Sequence, residues 1–357
     1  MRVLLVLPNL AGGGAERINL DLAYEFKNMG FDVSLALKET KGIFLNEAER
    51  EFDIINLNSA SNLKLVFDLS CSINRIKPDF VIVSMWGLTA FSAFSKLITR
   101  HKYKLLLVEH SSLISQFKNS KLKVRLWLRL STFIAYRIAN HVAGVSLGVA
   151  RDMQKVALLK RTPKTLYNPV PIIQPKTIST TGNTGCKVVV AAGRLIDAKD
   201  YPTLFKAILI SSKRVDLKLI ILGDGPLLCE LKSIVDEYDL NDKIIFKGFV
   251  ENPRDYFGSA DLFVLSSTRE GFGNVLVEAL GCGTPVVSTD CNYGPSEILR
   301  GGEFGKLVPV GDSQALSDAI VWSLSREHDL QKLIDRAKDF TPEVAAKRYL
   351  DVLGFIK

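Results

Sequence analysis

Short runs of β-branched and aliphatic residues recur along the chain, and each is followed by a mixed apolar and polar stretch long enough for a helix. In the first half the runs predict strands over residues 3–7, 32–37, 54–57, 80–84, 105–109 and 142–145, with helices between them, for example over 15–29. In the second half they predict strands over 187–192, 218–222, 244–247, 262–265, 285–289 and 305–308. Strand–helix alternation of this kind argues for parallel sheets with helices on both faces. The expected fold class is therefore α/β, with two Rossmann-like domains.

Between the halves stands Pro169-Val170-Pro171, then a polar run from Gln174 to Gly185 with four threonines and two glycines, which has the composition of a linker or surface loop. The boundary falls near residue 172. Residues 1–172 form an N-terminal domain and residues 173–340 a C-terminal one. A last helix within 341–357 could pack back on the first domain. A length of 357 residues is comfortable for two cores, and 47% apolar with 24% charged residues is ordinary for a soluble globular protein.

The five cysteines, Cys71, Cys186, Cys229, Cys282 and Cys291, are odd in number and lack C-x-x-C spacing. They read as reduced, mostly buried thiols of a cytosolic protein rather than a disulfide framework or zinc site. The first apolar run ends at Pro8, too short for a signal-peptide core, and no uncharged apolar stretch reaches transmembrane length. Surface attachment to a membrane stays open. The net charge of +8 is uneven: residues 1–170 hold 24 Lys and Arg against 13 Asp and Glu, whereas residues 171–357 hold 22 against 25. The basic half either is unevenly solvated or meets an anionic surface, such as headgroups, nucleic acid or a phosphorylated acceptor.

Several loops at predicted strand ends carry chemistry. Gly12-Gly13-Gly14-Ala15-Glu16-Arg17 opens a helix, where glycines allow close approach and the helix N-terminus favours an anion. Arg17 stands where the dinucleotide fingerprint needs its third glycine, which weighs against a nicotinamide or flavin enzyme. His110 follows the strand over 105–109, where it could donate or accept a hydrogen bond or be merely structural. Arg194 and Lys199 lie just past another strand and suit a diphosphate, although such a pair is more often solvated. Gly223-Asp224-Gly225-Pro226 reads as a turn.

The richest segment runs from Ser266 to Val287. Glu270 precedes Gly271-Phe272-Gly273-Asn274-Val275 at a helix start, and Glu278 lies two turns inside that helix. Backbone N–H groups there suit a phosphate, and a helix-borne carboxylate facing the crevice could accept both hydroxyls of a ribose. Two solvent-facing glutamates are a poor alternative in such apolar, glycine-rich surroundings.

At these residues the chain resembles the family-four retaining glycosyltransferases of the GT-B fold, over nearly its whole length. The resemblance is carried by Gly12 to Arg17, His110, Asn168-Pro169, Gly193-Arg194 with Lys199, Gly223 to Pro226 and, above all, Glu270-x7-Glu278 followed by Gly281-x-Gly283-Thr284-Pro285-Val286-Val287. It implies that Glu278 binds the donor ribose and that Arg194 and Lys199 hold the diphosphate and stabilise the departing nucleotide. It implies that Gly271 to Val275 offer N–H groups to phosphate and sugar, that Glu270 faces the transferred sugar and that His110 bonds one of its hydroxyls. Gly13 and Gly14 would close over the phosphates from the opposite domain. No Asp-x-Asp occurs, so Arg194 and Lys199 would replace a metal, and no cofactor is expected.

The segment Asp290 to Leu299 looks like that of relatives in bacterial surface-polysaccharide and lipid-linked oligosaccharide pathways, which points to UDP-hexoses or UDP-N-acetylhexosamines and a lipid-linked saccharide acceptor. Rival readings are a non-hydrolysing UDP-sugar epimerase, a nucleotide-sugar-binding scaffold without catalysis and, last, a nucleic-acid binder, for which no recognised module is present. On a helix, Lys118, Lys121, Arg125 and Arg129 would form one basic stripe, with Val124, Trp127, Leu130 and Ile134 broadly opposite. With Arg17, that stripe would make the acceptor and membrane side of a cytoplasmic protein held on the inner face of the plasma membrane. The alternative is an ordinary surface helix whose apolar face lies in the core.

Overall fold

The structure is a computed structural model, and it describes residues 1–355 apart from 58, 60, 119, 174 and 176–184. Most of the linker from Gln174 to Gly185 lies outside the described residues. By internal contacts the chain divides into two compact units, Met1–Pro169 with Pro342–Lys357, and Val170–Thr341.

The first unit holds a seven-stranded sheet in the order β3-β2-β1-β4-β5-β6-β7. Its strands are β1 (Arg2–Leu7), β2 (Asp32–Leu37), β3 (Asp53–Asn56), β4 (Phe80–Ser84), β5 (Lys104–Glu109), β6 (His141–Gly144) and β7 (Lys164–Thr165). All pairings are parallel, with Leu4 opposite Ser34 on one side and Val81 on the other. Because helices cover both faces, β1 and β4 bury nearly every side chain, which is why they read as unbroken apolar runs. The two-residue β7 is too short to leave a pattern, and the sequence reading missed it. Helix Pro342–Val352 belongs to this unit and packs on helix Gly14–Asn28 through Phe26 and Tyr349, whose rings lie 6.4 Å apart.

The second unit holds a six-stranded parallel sheet, β10-β9-β8-β11-β12-β13. Its strands are β8 (Lys187–Ala192), β9 (Leu217–Leu222), β10 (Ile244–Gly248), β11 (Leu262–Leu265), β12 (Val286–Thr289) and β13 (Lys306–Val308). One core cluster runs from Val189 and Leu219 through Phe205, Leu231 and Ile320. Both sheets therefore share the doubly wound order in which the chain reverses direction beside its first strand, next to β4 in one unit and β11 in the other.

The cysteines depart from expectation. All five are free, but only Cys291 is buried, while Cys71 and Cys229 are exposed. The latter two sit on the solvent side of helices Asn62–Ile76 and Leu228–Glu237, where packing asks nothing of them.

Candidate functional site

In the second unit the predicted residues gather beyond the carboxyl ends of β8 and β11, at the reversal point where open parallel sheets bind ligands. Gly193 follows β8, and its N–H donates to Leu222 O at 2.9 Å. The segment Gly223 to Pro226 is more than a turn. A Cβ on Gly223, whose φ is +133°, would stand 2.1 Å from Gly193 O, and one on Gly225 would stand 2.5 Å from Leu195 O. These glycines let one loop lie directly against the Arg194 loop, and Leu195 N donates to Asp224 O at 2.9 Å. Arg194 itself is exposed and has no ion-pair partner among the described residues.

Lys199 ends the short 3-10 turn Asp197–Lys199. The Ser266 hydroxyl donates to Lys199 O at 2.7 Å and Thr268 N donates to Ala198 O at 2.8 Å, which ties that turn to the loop after β11. The Lys199 ammonium donates to Glu270 Oε1 at 2.6 Å, and the Ser267 hydroxyl donates to the same oxygen at 2.6 Å. The two charged side chains are only 16% and 12% exposed, so this pair is largely desolvated. Tyr201 OH donates to Gly193 O at 3.0 Å. Burial, helped by the Glu270 charge, pushes its pKa well up, so the phenol stays a donor.

The glycine loop is held from both sides. Phe272 is 2% exposed and packs edge-on against Phe340 with centroids 5.4 Å apart. Gly273, at φ +100°, starts helix Asn274–Gly281, and no side chain caps that start, so its dipole is left for an anion. Glu278 lies in the second turn, with its carboxylate 3.8 Å from Arg254 Nη2. The sequence reading missed Arg254. Its Nε is buried with no hydrogen-bond partner among the described residues, and nothing in the stretch around Pro253 signals that it faces a carboxylate 24 residues further on. Burial first, with the Glu270 charge adding, pushes the Cys291 thiol up to about 12, so it is no nucleophile. Glu278→Ala is expected to weaken binding of free UDP by about tenfold, the worth of hydrogen bonds to a charged acceptor. Unchanged affinity by calorimetry would show that Glu278 does not hold the ribose.

In the first unit, Gly12 has φ +104° and Gly13 begins helix Gly14–Asn28 without a side-chain cap. A Cβ on Gly13 would stand 2.3 Å from Glu16 Oε2, so the Glu16 carboxylate lies over the helix start at which the phosphates were expected. Arg17 is not the free cation that a membrane or acceptor role requires: it pairs with Asp21 at 2.8 Å and Glu47 at 3.0 Å.

His110 follows β5, and both of its ring nitrogens are shut off from solvent with no hydrogen-bond partner among the described residues. Burial lowers its pKa to about 4, so the ring is neutral at pH 7 and can offer one donor and one acceptor to a ligand. The preceding Glu109 is buried too, with its Oε1 accepting from Thr89 Oγ1 at 2.8 Å and Tyr136 OH at 2.9 Å. Burial raises that carboxyl to about 7. Near these residues, past the ends of β1, β2 and β4, a cavity of about 320 Å³ is lined by Pro8, Lys38, Met85, Trp86, Phe91 and Trp127. Trp86 Nε1 is buried with no hydrogen-bond partner among the described residues. Glu109 and Trp86 were not singled out in the sequence, because Thr89, Tyr136 and Trp127 approach them only through the fold.

The basic stripe needs correction. Helix Leu122–Ile138 begins after Lys121, so Lys118 stands in the preceding turn and the four cations do not share one helical face. The helix buries one face, through Leu128, Thr132, Ala135 and Tyr136, but the apolar residues expected opposite the stripe are not the buried ones, and Ile134 is half-buried. Val124, Trp127 and Leu130 are 38%, 45% and 54% exposed, and Leu122 and Leu126 are more so. No helix among the described residues is long and apolar enough to cross a membrane.

Comparison with known proteins gives this arrangement a family. Residues 12–172 match the family described as Glycosyltransferase Family 4, and residues 176–340 match Glycosyl transferases group 1. The chain is 26% identical to the lipopolysaccharide core biosynthesis glycosyltransferase LpsE of Rhizobium meliloti, over 96% of each chain. It is 34% identical to the N-acetylgalactosamine-N,N'-diacetylbacillosaminyl-diphospho-undecaprenol 4-alpha-N-acetylgalactosaminyltransferase of Campylobacter jejuni, over 47% of this chain and 46% of that one. Anabaena HepE, solved in complex with UDP-glucose, superposes with a TM-score of 0.80 at 22% identity, over all of both chains. With two doubly wound sheets, a Family 4 match on the first and a group 1 match on the second, the chain belongs to the family-four glycosyltransferases of the GT-B fold and is a glycosyltransferase.

Proposed function

We propose that this enzyme moves a hexose or N-acetylhexosamine from a UDP-sugar, with retention of the anomeric configuration, to a lipid-linked saccharide in lipopolysaccharide or polysaccharide assembly. The observation that carries the donor half is the gathering of Arg194, Lys199, Glu270 and the start of helix Asn274–Gly281 beyond the carboxyl ends of β8 and β11. Transfer builds negative charge on the leaving diphosphate. An exposed guanidinium, an ammonium already desolvated and a helix dipole would meet that charge without reorganising. Same-face attack would let the leaving phosphate take the acceptor hydroxyl's proton. Neutral His110 would hydrogen-bond a sugar hydroxyl, and the aromatic cavity with Trp86 would receive the acceptor's sugar. The acceptor class is supported by relatives named for lipopolysaccharide core and diphospho-undecaprenol substrates, and the uridine donor by the HepE complex.

The test is a panel of nucleotide sugars with an undecaprenyl-diphosphate-linked saccharide as acceptor, the product's anomeric centre being read by NMR. Transfer from no UDP-sugar, or an inverted product, would overturn the reading. Metal independence is part of the proposal, because Arg194 and Lys199 would meet the diphosphate charge that a metal would otherwise meet. Activity is expected to survive excess EDTA, and abolition with rescue by manganese or magnesium would contradict this.

The exposed apolar and basic side chains of helix Leu122–Ile138 suit peripheral attachment to the anionic inner leaflet, where each cation near the surface is worth about 1 kcal/mol. The wild type should float with anionic liposomes, less so at high salt. A variant with Lys121, Lys123, Arg125 and Arg129 changed to glutamate should stay behind. Equal recovery of both proteins with anionic and neutral liposomes would refute attachment through this helix.

A further inference from the structure

Trp86 lines the aromatic cavity and meets Phe117 edge-on, with ring centroids 4.6 Å apart. Phe117 in turn lines a second, smaller cavity of about 150 Å³. Leu113, Leu128 and Val156 form its floor, at 1%, 4% and 6% exposure. Its rim carries Lys118, Arg125, Arg129 and Lys155, all exposed. None of the four side chains has an ion-pair or hydrogen-bond partner among the described residues, and no Asp or Glu lines the cavity. The nearby Asp152 is buried and accepts a hydrogen bond from the Ser112 hydroxyl. Lys121 and Lys123, on the same run of chain, stay outside the rim.

Four like charges around one apolar hollow repel one another, and an anionic occupant relieves that repulsion. An apolar floor beneath them calls for an occupant with a hydrocarbon part joined to its anionic head. Two guanidinium forks and two ammonium groups match several phosphate oxygens better than the single charge of a phosphodiester. We propose that this cavity is a binding subsite for the diphosphate of an isoprenoid-linked acceptor, with the first isoprene units on the Leu113, Leu128 and Val156 floor. The proposal rests on the lipid-linked acceptor read above. It adds the place where that acceptor's anionic head is held, next to the wall of the aromatic cavity.

The test is calorimetric titration of the full chain, without donor, with monomeric farnesyl diphosphate. Arg125→Ala and Lys155→Ala should each weaken binding by about tenfold, as loss of a charged hydrogen-bond donor does. Lys121→Ala, an exposed cation off the rim, should change it by less than about twofold. Farnesol and inorganic diphosphate should each bind at least about tenfold more weakly than the conjugate. Near-UV circular dichroism of the three variants should match the wild type.

The subsite falls if farnesyl diphosphate does not bind, if farnesol binds as well, or if Lys121→Ala costs as much as Lys155→Ala. It falls as a diphosphate site if short-chain phosphatidylglycerol competes equally at equal concentration. The titration is independent of sugar transfer. A chain that shows this pattern yet glycosylates no lipid-linked acceptor keeps the subsite and loses the acceptor reading. One that glycosylates such an acceptor without the pattern keeps its function and loses the subsite.

Discussion

Replacing Arg194 by alanine is expected to lower turnover about a hundredfold at saturating donor while leaving the melting temperature unchanged. The loss corresponds to about 3 kcal/mol, the usual cost of removing one preorganised charge-stabilising donor from a transition state. The side chain is exposed and has no ion-pair partner among the described residues, so its loss should leave the packing intact. Lys199→Ala should depress turnover as much, but it should also lower the melting temperature. Its ammonium and the Glu270 carboxylate are both largely desolvated, and alanine leaves that carboxylate with Ser267 as the remaining partner of its Oε1. The two variants thus separate chemistry from stability at one site. Near wild-type turnover in both would remove the diphosphate assignment, whatever their melting temperatures.

Gly294→Ala should be the most damaging single-methyl change near the site. Gly294 has φ +100°, and an added Cβ would lie 1.7 Å from Phe272 O. Backbone cannot yield as a flexible side chain can. The clash together with the left-handed conformation should cost about 3 kcal/mol or more. Phe272 would be driven from its seat on Phe340, and with it the Gly271 to Gly273 loop that presents the helix start. Chemical denaturation should give a clearly lower midpoint, and UDP affinity should fall together with stability. Gly301→Ala is the control, because it also has positive φ, at +65°, but nothing within 4 Å of its Cβ position. It should lose only the backbone share. If both variants lost equal stability, close packing against Phe272 would not be what requires glycine at 294.

The α/β class and nearly every strand are legible along the chain, because a strand buried on both faces must be apolar along its length and leaves a readable run, as in β1, β4, β8 and β11. The loops of the candidate site are legible too. Glycines that admit close backbone approach, at 193, 223 and 273, can be read where they stand, and Glu270-x7-Glu278 is a local spacing on one loop and one helix. Which charges act together depends on how the chain folds. Lys199 meets Glu270 across 71 residues and Arg254 meets Glu278 across 24, and neither pairing leaves a trace in local composition. The same limit explains the basic stripe. Helical periodicity placed Lys118, Lys121, Arg125 and Arg129 together, but the helix starts at Leu122, and Lys155 joins the rim of the smaller cavity from a different helix. Periodicity reports neighbours along one element. Electrostatics and burial act through space, so His110 without a partner and Glu109 beneath Thr89 and Tyr136 become visible only once the sheet has brought their surroundings together.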